Sequence, residues 1–187
     1  LTREDWLLNA AQGLGEMHSL PLPLLRVSCG FPSRKATGRV KAIGECWPVS
    51  RCEDGIPQIF ISPLLCEPCT PSGVLPTLLH ELIHAVDDCK SGHRGNFAKL
   101  AKSCGLVGKM TATEAGIELI ERLNVLSNAL GPYPHAPVNP TGLKKQSTRM
   151  LKLVCGSCGA IVRASRKILE DPGAPLCACN SEPMQEG

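Results

Sequence analysis

The chain has 187 residues, 43% hydrophobic, 20% charged and only 3% aromatic, which is long enough for one domain with a real core plus an appendage. That apolar fraction argues against a disordered chain, although 18 Gly and 16 Pro predict many turns, and no run approaches the roughly 18 uninterrupted apolar residues of a membrane helix. The net charge of +3 is uneven: residues 1–143 carry 13 basic and 13 acidic side chains, residues 144–187 carry 7 and 4.

Thr2 and Asp5 offer a helix start, and Trp6, Leu7, Ala10, Leu14 and Met17 recur at helical spacing until Pro21 and Pro23. The first six residues are charged with both signs and carry no apolar leader, so the expectation is a soluble, cytoplasmic protein without a membrane partner. Leu24–Cys29, Val40–Trp47 and Gln58–Ser62 read as short strands between Gly, Pro and Ser punctuation.

The next helix, Gly73–Asp88 with Ser72 as cap, aligns Leu75, Leu78, Leu79, Leu82, Ile83 and Val86 in one stripe. At about 100° per residue, His80 and His84 fall on the opposite side. Further helices are expected over Asn96–Cys104 and over Ala112–Leu130, the latter with a Thr111/Glu114 capping box and a Gly131-Pro132 stop. Proline-rich residues 132–149 read as a linker between a body, 1–131, and a cysteine-bounded unit, 150–187.

His80-Glu81-Leu82-Ile83-His84 is an H-E-x-x-H pattern on a helix. Residues one turn apart share a face, so both imidazoles can reach one Zn²⁺, with Glu81 beside them as catalytic base for a zinc-activated water. The plain alternative is a pair of exposed histidines on an amphipathic helix. A catalytic zinc needs a third ligand, and His93 after Gly92 is the preferred candidate, because a short turn can fold it back. Asp87 and Asp88 are rivals at the end of the same helix, and Glu114 or Glu118 would give a two-His, one-Glu site. Tyr133 and Arg94 are candidate oxyanion stabilisers.

Eleven cysteines, an odd number without a leader, point to metal ligands and buried thiols rather than disulfides. Cys155-x-x-Cys158 and Cys177-x-Cys179 suit a closed structural Cys₄ zinc site, which would supply folding energy to so small a unit. Cys46, Cys52, Cys66 and Cys69 make a third zinc conceivable, although buried thiols explain them as well. Lys144, Lys145, Arg149, Lys152, Arg163, Arg166 and Lys167 follow one another without an intervening acid, the signature of a polyanion partner, of which nucleic acid is the commonest.

His80–His84 followed by Gly92-His93-Arg94-Gly95-Asn96-Phe97, with Gly44-Glu45-Cys46-Trp47 and the Gln58–Pro63 strand upstream, resembles the SprT-like family. The similarity covers most of residues 24–180, and the terminal cysteine unit adds to it, because such proteins often end in a zinc ribbon. The C-x-C second pair departs from the commonest ribbon, and residues 1–20 contribute nothing specific. The resemblance implies an α+β minimal zincin metalloprotease, a small sheet packed on helices with the H-E-x-x-H helix at its centre, followed by a zinc ribbon, in a bacterial or phage member. It further implies three histidines on zinc, a glutamate base and a protein or peptide substrate. A peptide lying against Gln58–Ser62 is the expected substrate placement. The competing function is a nucleic-acid-binding zinc protein with an idle protease-like core.

Overall fold

The computed structural model describes residues 1–33, 42–139 and 150–187, and the chain divides into two units, Leu1–Pro140 and Thr141–Gly187. It is a mixed α+β protein, with five α-helices and three small sheets among the described residues.

Helix α1, Arg3–His18, begins with the expected reciprocal cap between Thr2 and Asp5, and it buries Trp6, Leu7, Ala10, Ala11 and Leu14. Three strands follow: β1 (Arg26–Cys29), β2 (Gly44–Trp47) and β3 (Gln58–Ile61). Their order is β1-β3-β2, with β1 parallel and β2 antiparallel to β3. Ile59 and Ile61 of β3 are buried, while Gln58 and Phe60 alternate to the other face. The Gln58 strand is therefore the centre of the sheet with both edges paired, and the expectation that it offers a free edge to a peptide is corrected. The edge that borders the histidines belongs to β2.

Helix α2, Val74–Val86, is enclosed on nearly every side: Thr77, Glu81 and His84 are buried together with its leucines. The expected apolar stripe is present, but the imidazole side is covered as well. Its N-cap is Gly73, without a side-chain cap, and Ser72 instead donates to Glu114 at 3.3 Å. Helix α3, Gly95–Ser103, buries Phe97 and Ala101.

The largest departure from expectation comes next. Residues 106–115 form a hairpin, β4 (Leu106–Lys109) with β5 (Ala112–Ala115), and helix α4 starts only at Ile117 and runs to Leu130. The Thr111/Glu114 capping box does not form. Its residues fall in the two-residue turn and in β5, where Ala115 is buried in the core and its amide bonds to the Pro71 carbonyl at 2.8 Å. Tertiary pairing overrides a local helix signal here.

The first half of the expected linker belongs to the body. Tyr133 is buried against Trp6, with ring centroids 4.8 Å apart, and Trp6 Nε1 donates to the Gly131 carbonyl at 3.0 Å. Val138 N donates to the Pro63 carbonyl at 2.8 Å, and His135 Nε2 lies 3.0 Å from the same oxygen. Residues 131–138 thus strap α1 to the end of β3.

The second unit consists of β6 (Leu151–Val154), β7 (Ile161–Ala164), a short helix α5 (Arg166–Glu170) and β8 (Gln185–Glu186), in the order β7-β6-β8. Its buried apolar set is Leu153, Cys155, Ala164, Cys177 and Met184. A core that small does not hold three strands without a further cross-link. Among the described residues of both units, no helix is long and apolar enough to cross a membrane.

Candidate metal centres

His80 and His84 project from α2 one turn apart, and His93 arrives from the turn that follows. That turn is built by Asp87, whose carboxylate accepts from Ser91 N (2.6 Å), Ser91 Oγ (3.1 Å) and Asn96 Nδ2 (3.2 Å). Asp88, Cys89, Gly92 and Gly95 all take left-handed backbone conformations there, which is costly for the two non-glycine residues and marks a turn held by its surroundings. The outcome is convergence: His93 Nε2 lies 3.3 Å from His80 Nε2 and 3.2 Å from His84 Nε2. Phe97 of α3 backs the cluster, stacked on the His84 ring at 4.2 Å.

The rival ligands have other occupations. Asp87 organises the turn, and Asp88 accepts from Val49 N at 3.0 Å and pairs with Lys90. Glu114 accepts from Ser72, and Glu118 is exposed on α4. Of the oxyanion candidates, Tyr133 is packed on Trp6, and Arg94 stands at the N-terminal boundary of α3 without a side-chain capping bond. Neither borders the histidine cavity.

Three nitrogens at such separations cannot all satisfy one another. A single Nε2 offers one proton or one lone pair, so at least one of the two contacts to His93 is left without a hydrogen bond. His80 Nδ1 lies 2.8 Å from Thr113 Oγ1 on β5, a contact that fixes the ring and leaves Nε2 free to act as donor atom. His84 Nδ1 is buried without a hydrogen-bond partner among the described residues. Burial, and then the charges of the other two imidazoles, hold His80 down to about 3; burial and then His93 hold His84 down to about 4. Burial also lowers His93. All three rings are thus neutral, the state in which imidazole binds a metal.

Glu81 lies on the same wall, buried, and its carboxyl is pushed up to about 8 by burial first and then by the Cys89 and Glu45 charges. β2 comes very close to it. A Cβ on Gly44 would stand 2.5 Å from Glu81 Oε1 and 2.8 Å from Thr77 Cγ2, so only glycine lets the edge strand approach the carboxylate. The histidines, Glu81, residues 42–46 and residues 111–114 border a cavity of about 480 Å³. Thr113 and Gly44 carry no pattern by which their roles could be read from the chain alone.

In the second unit Cys155 and Cys179 sulfurs are 3.6 Å apart, as are those of Cys158 and Cys177. The amides of Cys158 and Ser157 point at Cys155 and bring its thiol down to about 6, the electrostatics of a sulfur knuckle. The His80/His84/His93 and Cys155/Cys158/Cys177/Cys179 groups could each hold a metal ion. Cys46, Cys52, Cys66 and Cys69 form no such group among the described residues. Cys69 instead donates to the Leu123 carbonyl at 3.4 Å, and Cys66 lies against Glu67.

Of the expected basic contacts, Lys144, Lys145 and Arg149 lie outside the described residues. Lys152 and Arg163 are direct cross-strand partners in the β6–β7 ladder. Arg166 pairs with Glu186 at 3.6 Å, and Lys167 is exposed on α5. No family model matches the chain, and no curated protein and no solved structure is similar to it.

Proposed function

We propose that the protein is a zinc-dependent metallopeptidase of SprT-like, zincin-type architecture, with His80, His84 and His93 as ligands, Glu81 as general base and a zinc ribbon at its end. One observation carries this reading: the Nε2 of His93 lies 3.2–3.3 Å from those of His80 and His84, beside the buried carboxyl of Glu81. Ligands about 2.0–2.1 Å from a tetrahedral zinc are separated by roughly 3.3–3.4 Å. The sulfur separations of 3.6 Å agree in the same way with Zn–S bonds of about 2.3 Å.

When bound, zinc supplies Lewis acidity at the cavity floor and brings the pKa of water there towards about 7. Thr113 holds His80 in the tautomer that presents Nε2, and Asp87 holds the turn that presents His93. Burial favours the protonated Glu81 carboxyl; the charge of a bound zinc would restore its carboxylate, which would take the proton of the attacking water and return it to the leaving amine nitrogen. The β2 edge, residues 44–47, pairs with an extended peptide, in place of the central β3 strand.

DNA is the proposed partner of the second unit. Lys152 directly opposite Arg163 is a like-charge pair that costs stability unless an anion lies across it. The test is purified protein with measured zinc content. Two zinc per chain, and cleavage of itself or of a DNA-bound protein by wild type, are expected. Glu81→Gln should keep both zincs and lose about 10²–10⁴-fold in rate. Tight DNA binding without any cleavage by wild type would establish the idle-core reading instead.

A further inference from the structure

Two cysteines that the proposed peptidase chemistry does not use meet at the cavity. Cys46 lies on β2, two residues from Gly44 and so on the same, α2-facing side of the strand. Cys89 lies in the left-handed turn that leaves α2. Its thiol donates to the Cys46 carbonyl at 3.7 Å, which seats the Cys89 sulfur against the residue that carries the other thiol. Both are half-buried and both border the cavity that holds Glu81, so a small reagent entering the cavity meets them. The other thiols of the first unit, Cys29, Cys52, Cys66, Cys69 and Cys104, do not border that cavity.

We propose that Cys46 and Cys89 are a redox-active dithiol that closes to a disulfide under mild oxidation by a hydroperoxide. One sulfur, as thiolate, attacks a peroxide oxygen; the O–O bond breaks, hydroxide leaves, and a sulfenic acid forms. The second sulfur attacks the first, the S–S bond forms, the S–O bond breaks and water leaves. The sum is two thiols and one hydrogen peroxide giving a disulfide and two waters, and a small dithiol reverses it.

The bond draws the sulfurs to about 2.05 Å, which ties β2 to the turn that Asp87 connects to His93. Asp88 already accepts from Val49 N just beyond β2, so the turn and the strand are neighbours before any bond forms. On the peptidase reading, which this consequence rests on, the tie narrows the cavity along the strand where a peptide lies.

The experiment treats the zinc-loaded full chain with a small excess of hydrogen peroxide, blocks remaining thiols with N-ethylmaleimide, and maps digested peptides by mass spectrometry. A Cys46–Cys89 cross-linked peptide is expected while both zincs are still bound, reversed by dithiothreitol and missing from Cys46→Ser and Cys89→Ser. Complete alkylation of both thiols after oxidation overturns the proposal. So does pairing with another cysteine, or a cross-link that appears only after zinc release. Peptide cleavage on the same samples should fall about ten- to a hundred-fold on oxidation of wild type, as displacement of a cleft wall implies. Cys46→Ser should keep its own untreated rate after peroxide. Equal rates in both wild-type forms refute the narrowing, and absence of cleavage in either form refutes the peptidase reading while the mapping still decides the dithiol.

Discussion

The two candidate metal centres differ in what surrounds them more than in what composes them. The histidine group sits in a unit whose core contains Trp6, Phe97 and sixteen buried leucine, isoleucine and valine side chains. The cysteine group sits in a unit where two of the five buried core residues, Cys155 and Cys177, belong to that group itself. In the first unit the protein folds and thereby builds a place for an ion. In the second a bound ion would complete the fold. Ligand number would agree with this division: four thiolates would close a tetrahedral ion, whereas three imidazoles would leave it one corner free.

Metal removal gives the largest expected contrast. Structural zinc contributes about 10–16 kcal/mol of apparent binding free energy to small domains at neutral pH. A strong chelator should therefore abolish the ordered strands β6–β8 while leaving the first unit folded. Residue-resolved amide exchange checks this: protection lost from 151–154 and 161–164 but kept in α1 and α2. Equal loss in both units would erase the distinction.

Thr113→Val keeps shape and removes the contact to His80 Nδ1, so affinity at the histidine site should fall about 10–100-fold. Competition with a chelator of known affinity measures it, and the cysteine site in the same molecule serves as the internal reference.

Acid should act on the first unit in a defined direction. With metal stripped, His80 and His84 keep folded pKa values of about 3 and about 4, against about 6.5 unfolded. The unfolded chain then binds protons that the native state refuses. Their contribution is whole above pH 6.5 and is lost progressively as pH falls towards 4. Glu81, raised to about 8, has the opposite sign: its contribution is present below about 4.5 and is lost as pH rises through 8. A Glu81→Gln background removes the opposing slope, so the melting temperature should fall between pH 6.5 and 4, with His18 and His93, also held down by burial, adding to the fall. A melting temperature that does not move over that window would contradict the buried, neutral imidazoles.

The smallest expected effect belongs to the surface of the second unit. Replacing Lys152 and Arg163 by alanine should lower the dependence of log affinity for DNA on log salt by about two. An unchanged slope would place DNA elsewhere.

Patterns carried by contiguous residues were legible from the chain. The capping box of Thr2 and Asp5, the apolar period of α2, the one-turn spacing of His80 and His84 and the two cysteine knuckles are each local, and helical phase or turn chemistry alone places them. His93 could be suspected, because a glycine turn after a helix brings a side chain back. Its convergence with the other two rests on Asp87 holding Ser91 and Asn96.

Other parts were decided by contacts distant in sequence. The β4–β5 hairpin turns on Met110 and Thr111, which carry no glycine or asparagine signal, so Thr113 cannot be foreseen as the partner of His80. The burial of Glu81, the closeness of Gly44 to it and the meeting of Cys46 with Cys89 follow from where the edge strand lies against α2. Residue types and their spacing determined which side chains are able to bind a metal. Long-range packing decided which of them are desolvated, neutral and aimed at one another, because desolvation and aim are properties of neighbours brought by the rest of the fold.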